Sequence, residues 1–132
     1  FEGNALTTDR AMWDMMRQQL ATHPDLALGG PSLNWLHAAF RETAALAQMP
    51  SPALPCLTVV GGRERVVVVP RIEARMAAWP GGTLLREPDA EHEVMMDRAP
   101  IRARFFDAAA ALFDRCGTAA APDGSGPRRA AC

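Results

Sequence analysis

The sequence predicts an α/β protein with a parallel sheet. After residue 55 its pattern alternates strand, helix, strand, helix, which is the order that builds parallel sheets. The first strand, residues 56–60, is nearly all apolar and runs into Gly61-Gly62, the profile of a strand buried on both faces. Because two strands make too small a sheet, we expect further strands upstream of Phe1 in a longer protein.

Two amphipathic helices are predicted before the sheet. Thr7-Thr8-Asp9 supplies an N-cap for a helix over about residues 9–21, which stops at His23-Pro24. A loop with two glycines and a proline follows, and Ser32 is placed to cap a second helix. The apolar residues on one face of that helix are Leu33, Leu36, Phe40, Ala44 and Ala47.

A connector, residues 48–55, joins these helices to the first strand, and its three prolines are incompatible with a helix or a sheet interior. Beyond that strand, Pro70 favours the first turn of a helix over about residues 70–79. We therefore interpret Val66 to Val69 as a buried loop that enters this helix.

The last third of the chain holds a second strand, a turn and a long helix. Residues 83–86 form the strand, and Pro88-Asp89-Ala90-Glu91 form the turn. The helix is expected over about residues 100–115, with a tail from Gly117 to Cys132 whose Ala, Pro and Gly content predicts disorder. The residues on the buried face of the helix are Ile101, Phe105, Ala108 and Leu112.

Composition excludes several classes of partner. A chain of 132 residues has the size of one domain, and its net charge of −1 gives no field that would attract nucleic acid or an anionic membrane. No apolar run approaches the roughly 18 residues of a membrane span, so only peripheral contact with lipid is left open. Three cysteines without CxxC spacing predict a reduced, cytoplasmic chain without a metal site, and no signal peptide is visible.

Two residues that could carry chemistry follow the two strands. Glu64 lies four residues past Val60, and His92 lies six residues past Arg86. Because the carboxyl ends of parallel strands meet at one edge of a sheet, this spacing favours the base and the orienting acid of a nucleophile-His-acid triad. No nucleophile is evident beside them.

Other interpretations of these residues stay open. His92 could be an ordinary surface-loop histidine, and Glu64 could simply pair with Arg63 or Arg65. Asp89 is the alternative acid of the triad. A metal site would draw on the acidic residues near His92, which are Glu91, Glu93 and Asp97.

Several segments resemble the α/β-hydrolases. Gly61-Gly62-Arg63-Glu64-Arg65-Val66-Val67 looks like the strand-plus-acid segment of these enzymes, although Asp is more usual at the acid position. Pro88-Asp89-Ala90-Glu91-His92-Glu93 resembles their histidine loop. Gly3-Asn4-Ala5-Leu6-Thr7 and the segment from Leu28 to Leu36 are similar to the cap of bacterial lysophospholipases related to monoacylglycerol lipases. The resemblance covers about residues 1–115.

The resemblance implies a domain organisation and a serine mechanism. Residues 1–49 would be a helical cap or lid segment and residues 50–116 the C-terminal part of an α/β-hydrolase fold. Residues 117–132 are the tail for which composition predicts disorder. The family order is a Gly-x-Ser-x-Gly nucleophile, cap, acid and histidine. This chain has only the last three, since Ser125 lies in the tail after His92.

The chain is therefore expected to be the cap and C-terminal part of a carboxylic-ester hydrolase. Its substrate would be a small-molecule lipid or ester, and no cofactor would be needed. Met and aromatic side chains adapt to flexible apolar ligands, so an acyl-chain pocket is one role for the helices, and simple helix packing is the other. The alternative function is a non-catalytic module that binds a partner or an apolar ligand. The predicted substrate-binding residues are Trp13, Met16, Trp35 and Phe40.

Overall fold

A computed structural model describes residues 1–119 of the chain. The element order is helix, helix, strand, helix, strand, helix, as predicted, with short 3-10 turns at Pro24–Leu26 and Val94–Met96. The main elements are α1 (Arg10–Thr22), α2 (Leu33–Gln48), β1 (Cys56–Gly61), α3 (Val69–Ala77), β2 (Gly82–Glu87) and α4 (Ala99–Ala119). Helix α4 includes the first three residues of the predicted tail, and the other tail residues lie outside the described part of the chain.

Strands β1 and β2 pair in parallel, which confirms the predicted strand direction. The register runs from Cys56 opposite Gly82 to Gly61 opposite Glu87. Burial along β1 increases toward its carboxyl end, where Val60 and Gly61 are buried while the first four residues are partly exposed. The most protected part of the sheet is therefore the edge at which the two strands end.

The apolar core lies next to this edge. Ala90 and Val94 come from the segment that follows β2, and Ile101 comes from the first turn of α4. Val59 of β1 and Phe105 of α4 pack against them. The segment that carries His92 is thus held between the sheet and α4 by buried apolar contacts.

Helices α1 and α2 begin at the predicted caps. The Asp9 carboxylate accepts hydrogen bonds from the amides of Ala11 and Met12 at 2.9 and 3.2 Å, and Ser32 Oγ accepts one from the amide of Trp35 at 3.2 Å. No residue of α2 is buried, so its apolar face is open in the described part of the chain. No helix of residues 1–119 combines the length and the apolar character needed to cross a membrane.

The valines before α3 form the predicted loop, but the expectation that this loop is buried is wrong. Val66, Val67 and Val68 are 53%, 43% and 62% exposed. The Glu64 carboxylate accepts hydrogen bonds from the amides of Val66 and Val67, so the backbone of this loop turns toward the carboxylate. Their apolar side chains are left largely in solvent.

Two glycines at the end of β1 allow a close approach to the His92 segment. A Cβ atom on Gly61 would lie 2.3 Å from the carbonyl oxygen of Glu91, and one on Gly62 would lie 2.3 Å from that of Pro88. The two backbones also hydrogen-bond here, since the amide of Gly62 donates to the carbonyl of Glu87 at 2.7 Å. Only glycine leaves room for this arrangement.

We expect Gly61→Ala to destabilise the fold by about 1–3 kcal/mol, because the new methyl group would collide with backbone atoms that cannot rotate away. Thermal unfolding of the two proteins measures the loss. Gly30→Ala is the matched control, since nothing lies within 4 Å of a Cβ atom at Gly30. Equal melting temperatures for the Gly61 and Gly30 variants would show that the close approach does not constrain this edge.

Candidate active site

His92 and Glu64 are in direct contact at the carboxyl edge of the sheet. The imidazole Nδ1 lies 2.7 Å from Glu64 Oε2, within hydrogen-bond distance. Glu64 is on the loop that follows β1, and His92 is on the segment that follows β2. The proximity expected from their positions after successive strands is therefore observed.

The Glu64 carboxylate is buried and fixed from two sides. Its side chain is 4% exposed, and Oε1 accepts hydrogen bonds from the amides of Val66 and Val67 at 2.5 and 3.1 Å. Burial alone raises the pKa of Glu64, but the hydrogen bonds from His92 and from the two amides outweigh it and leave the pKa below its ordinary value. The carboxylate is held ionised with one oxygen aimed at the imidazole.

The other ring nitrogen of His92 is open. The side chain is 29% exposed, and no group among residues 1–119 hydrogen-bonds to Nε2. A carboxylate on Nδ1 with a free Nε2 is the arrangement in which a histidine can accept a proton from a nucleophile and release it again.

The alternative partners of the two residues lie elsewhere. The Asp89 carboxylate, 67% exposed, contacts Arg63 at 3.3 Å, and the Arg65 guanidinium contacts Glu91 at 3.4 Å. Neither arginine pairs with Glu64, whose carboxylate faces His92 and the two valine amides. Within residues 1–119 no group of three His, Cys, Asp or Glu side chains could hold a metal ion.

The backbone of the His92 segment is clamped by the N-terminal residues. The amide of His92 donates to the carbonyl of Ala5 at 3.2 Å, and the amide of Glu93 donates to that of Leu6 at 2.7 Å. Thr7, 1% exposed, donates its hydroxyl to the carbonyl of Met96 at 2.7 Å. We call residues 4–8 the N-terminal clamp. Sequence reasoning missed these contacts, because backbone pairing over almost 90 residues leaves no local pattern.

Asp97 is a further residue whose contacts sequence reasoning missed. It was a candidate metal ligand, but its side chain is 0% exposed and its oxygens accept hydrogen bonds from Thr8, Glu91 and Arg98. A buried carboxylate surrounded by hydrogen-bond donors is typical of a residue that connects segments of the fold. In the sequence, only the position of Asp97 just before α4 pointed to such a role.

Glu87, at the end of β2, forms a separate buried contact with α4. Its side chain is 3% exposed and accepts hydrogen bonds from Arg104 Nε at 3.0 Å and from Arg104 Nη2 at 2.5 Å. The hydrogen bond to Glu87 raises the pKa of Arg104. This pair joins the sheet to the helix without contacting the imidazole.

The predicted substrate-binding residues are not gathered into one site by the described chain. Trp13 packs edge-on against Phe1, with ring centroids 6.4 Å apart, and Met16 is partly buried on the same helix. Trp35 and Phe40 are 61% and 69% exposed on α2. Their role in substrate binding stays a prediction. Ser125, which follows His92 in the sequence, lies outside the described residues.

Comparison with curated proteins finds a similarity to a protein described as probable lysophospholipase L2 of Haemophilus influenzae. The two are 26% identical over 102 residues, which is 76% of this chain and 33% of that protein. The chain thus spans about a third of the length of this relative. No family model and no solved structure match the chain. The similarity indicates, at most, an α/β-hydrolase-like relationship, with which the helices and small parallel sheet are compatible.

Proposed function

We propose that this chain is the cap and C-terminal α/β part of a serine carboxylic-ester hydrolase of the lysophospholipase or monoacylglycerol lipase type. The observation that carries the proposal is the 2.7 Å contact between His92 Nδ1 and the buried Glu64 carboxylate. In this role His92 takes the proton of a serine hydroxyl as that serine attacks the ester carbonyl, and then returns the proton to the leaving alcohol. Glu64 fixes the tautomer and stabilises the imidazolium.

The nucleophile in this proposal belongs to a part of the protein that precedes Phe1. Two observations support it: the chain spans 33% of its relative, and the order acid then histidine matches the last two members of the α/β-hydrolase triad. The open Nε2 of His92 is the atom that would receive the serine proton. Neither a metal nor an organic cofactor is required for this acyl transfer.

We propose a lipid or ester substrate of small size, with α1 and α2 as the segment that contacts its apolar part. The name of the relative supports this choice of substrate class. Exposed Trp35 and Phe40 supply apolar surface on α2, and Trp13 and Met16 supply it on α1. Contact with a lipid surface in this proposal is peripheral.

A fluorophosphonate probe tests the proposal in the full-length protein that contains this chain. The hydroxyl oxygen of an activated serine attacks the phosphorus of such a probe, and fluoride leaves. We expect hydrolysis of a lysophospholipid or a monoacylglycerol, stoichiometric labelling of one serine upstream of Phe1, and loss of the hydrolysis once that serine is labelled. Absence of labelling together with absence of ester hydrolysis would contradict the proposal.

A second candidate function is a non-catalytic module that binds a partner or an apolar ligand. The exposed apolar side chains of the loop before α2 and of α2 itself favour it, with Leu28, Leu33 and Phe40 at 91%, 84% and 69% exposure. Saturable binding of an apolar ligand by a full-length protein that the probe does not label would favour this module over the hydrolase.

A further inference from the structure

Asp97 is a buried carboxylate that joins three separate parts of the chain. Its side chain is 0% exposed and lies between the His92 segment and the start of α4. An ionised carboxylate is costly to remove from water unless donors replace its hydration shell. The donors that offset this desolvation cost therefore show which parts of the chain hold Asp97 in place.

Four donors surround the two oxygens. Oδ1 accepts from the Thr8 hydroxyl, in a short contact, and from the amide of Arg98 at 2.7 Å. Oδ2 accepts from the amide of Thr8 at 3.3 Å and from that of Glu91 at 3.2 Å. Burial raises the pKa of Asp97, but these hydrogen bonds outweigh it and leave the pKa below its ordinary value. The site therefore favours the ionised form.

Two of these donors belong to the segments that hold the backbone of His92. Glu91 precedes His92 in the chain, so the hydrogen bond from its amide to Asp97 fixes the backbone on one side of the histidine. Thr8 belongs to the N-terminal clamp, whose Ala5 carbonyl accepts the amide of His92 itself at 3.2 Å. Asp97 thus sets both the loop that carries the ring and the segment against which that loop rests.

We propose that Asp97 is a positioning residue, which holds the His92 ring at hydrogen-bond distance from Glu64 through Glu91 and Thr8. Asp97 touches neither the ring nor Glu64, and its effect on them is geometric. A shift of about 1 Å in a reacting group can cost roughly 10²-fold in rate, so small errors in the loop are sufficient to matter. This inference rests on the proposed hydrolase function for its kinetic consequence only.

Asp97→Asn is the test in the full-length protein. The amide nitrogen of Asn cannot accept hydrogen bonds, so two of the four donors lose their acceptor while the shape of the side chain is kept. We expect kcat to fall by about 10²-fold with little change in KM. The downfield proton NMR signal of the His92 Nδ1–H bonded to Glu64 should shift or disappear.

Glu87→Gln is the matched control, because Glu87 is also a buried carboxylate that contacts α4, but within residues 1–119 its side chain hydrogen-bonds to Arg104 alone. It should lower the melting temperature while leaving kcat and the imidazole signal in place. Equal losses of kcat and signal in both variants would overturn the inference, as would a folded Asp97→Asn protein that keeps both.

Two substitutions at Thr8 keep the inference falsifiable if Asp97→Asn does not fold. Thr8→Ser retains the hydroxyl donor and should preserve kcat and the signal, whereas Thr8→Val removes it and should weaken both. Identical behaviour of the Ser and Val variants would overturn the inference. If the wild-type protein hydrolyses no ester, the proposed function fails, and the imidazole signal alone still decides the role of Asp97.

Discussion

His92→Ala is expected to lower kcat/KM for ester hydrolysis by the full-length protein by about 10⁴-fold or more, the loss seen when the general base of a serine triad is removed. Without the imidazole the serine hydroxyl has no acceptor for its proton, and Glu64 is left without its ring partner. The initial rate with a lysophospholipid or a monoacylglycerol measures the effect. Because the His92 ring is partly exposed, we expect the fold to survive, as far-ultraviolet circular dichroism would show.

His37→Ala is the matched control for this variant. His37 is exposed on α2, and the substitution removes an imidazole without changing the contact to Glu64. It should keep nearly full activity. Turnover by the His92 variant at the rate of the wild-type protein would remove His92 from the mechanism, whatever the activity of the His37 variant.

Glu64→Gln is expected to lower kcat by roughly 10⁴-fold, comparable to the loss of the orienting acid in other serine triads. The amides of Val66 and Val67 require an acceptor, so the Gln carbonyl oxygen takes the place of Oε1. Its NH2 group then faces His92 Nδ1, which must become the acceptor. The ring proton moves to Nε2, and the nitrogen that should accept the serine proton is blocked.

Asp89→Asn distinguishes this explanation from the alternative acid. Asp89 is 67% exposed and contacts Arg63, so its substitution should leave kcat unchanged. The Glu64 variant should also keep the KM of the wild-type protein, because the carboxylate acts through the histidine. A large loss of activity in the Asp89 variant with none in the Glu64 variant would transfer the role of the acid to Asp89.

Much of the fold follows from local features of the sequence. Asp9, Ser32 and Pro70 each define the start of a helix through a side chain or ring acting on its own neighbours, and the structure has a helix at each predicted place. The parallel pairing of β1 and β2 follows from the helix between them. Burial was harder to predict, as the exposed loop at Val66 to Val68 shows, because it depends on what the rest of the chain covers.

The candidate site also has one contact that the sequence predicts and others that it does not. The contact between Glu64 and His92 could be expected because both residues follow parallel strands that end at one edge. The hydrogen bonds between Thr8 and Asp97, and those between the N-terminal clamp and the His92 segment, could not be expected, since they join residues almost 90 positions apart. Long-range hydrogen bonds of this kind depend on the assembled fold and have no periodic signature.

The proline-rich connector between α2 and β1 has a mechanical consequence. Arg75 of α3 donates hydrogen bonds to the carbonyls of Leu46 and Met49, where α2 ends, and Trp79 Nε1 donates to that of Leu54 at 2.8 Å. The connector is therefore held by α3 where α2 ends, and near the start of β1 by Trp79, which follows α3. If α2 swings relative to the sheet, the pivot must lie before Leu46, or the guanidinium must first release its two carbonyls.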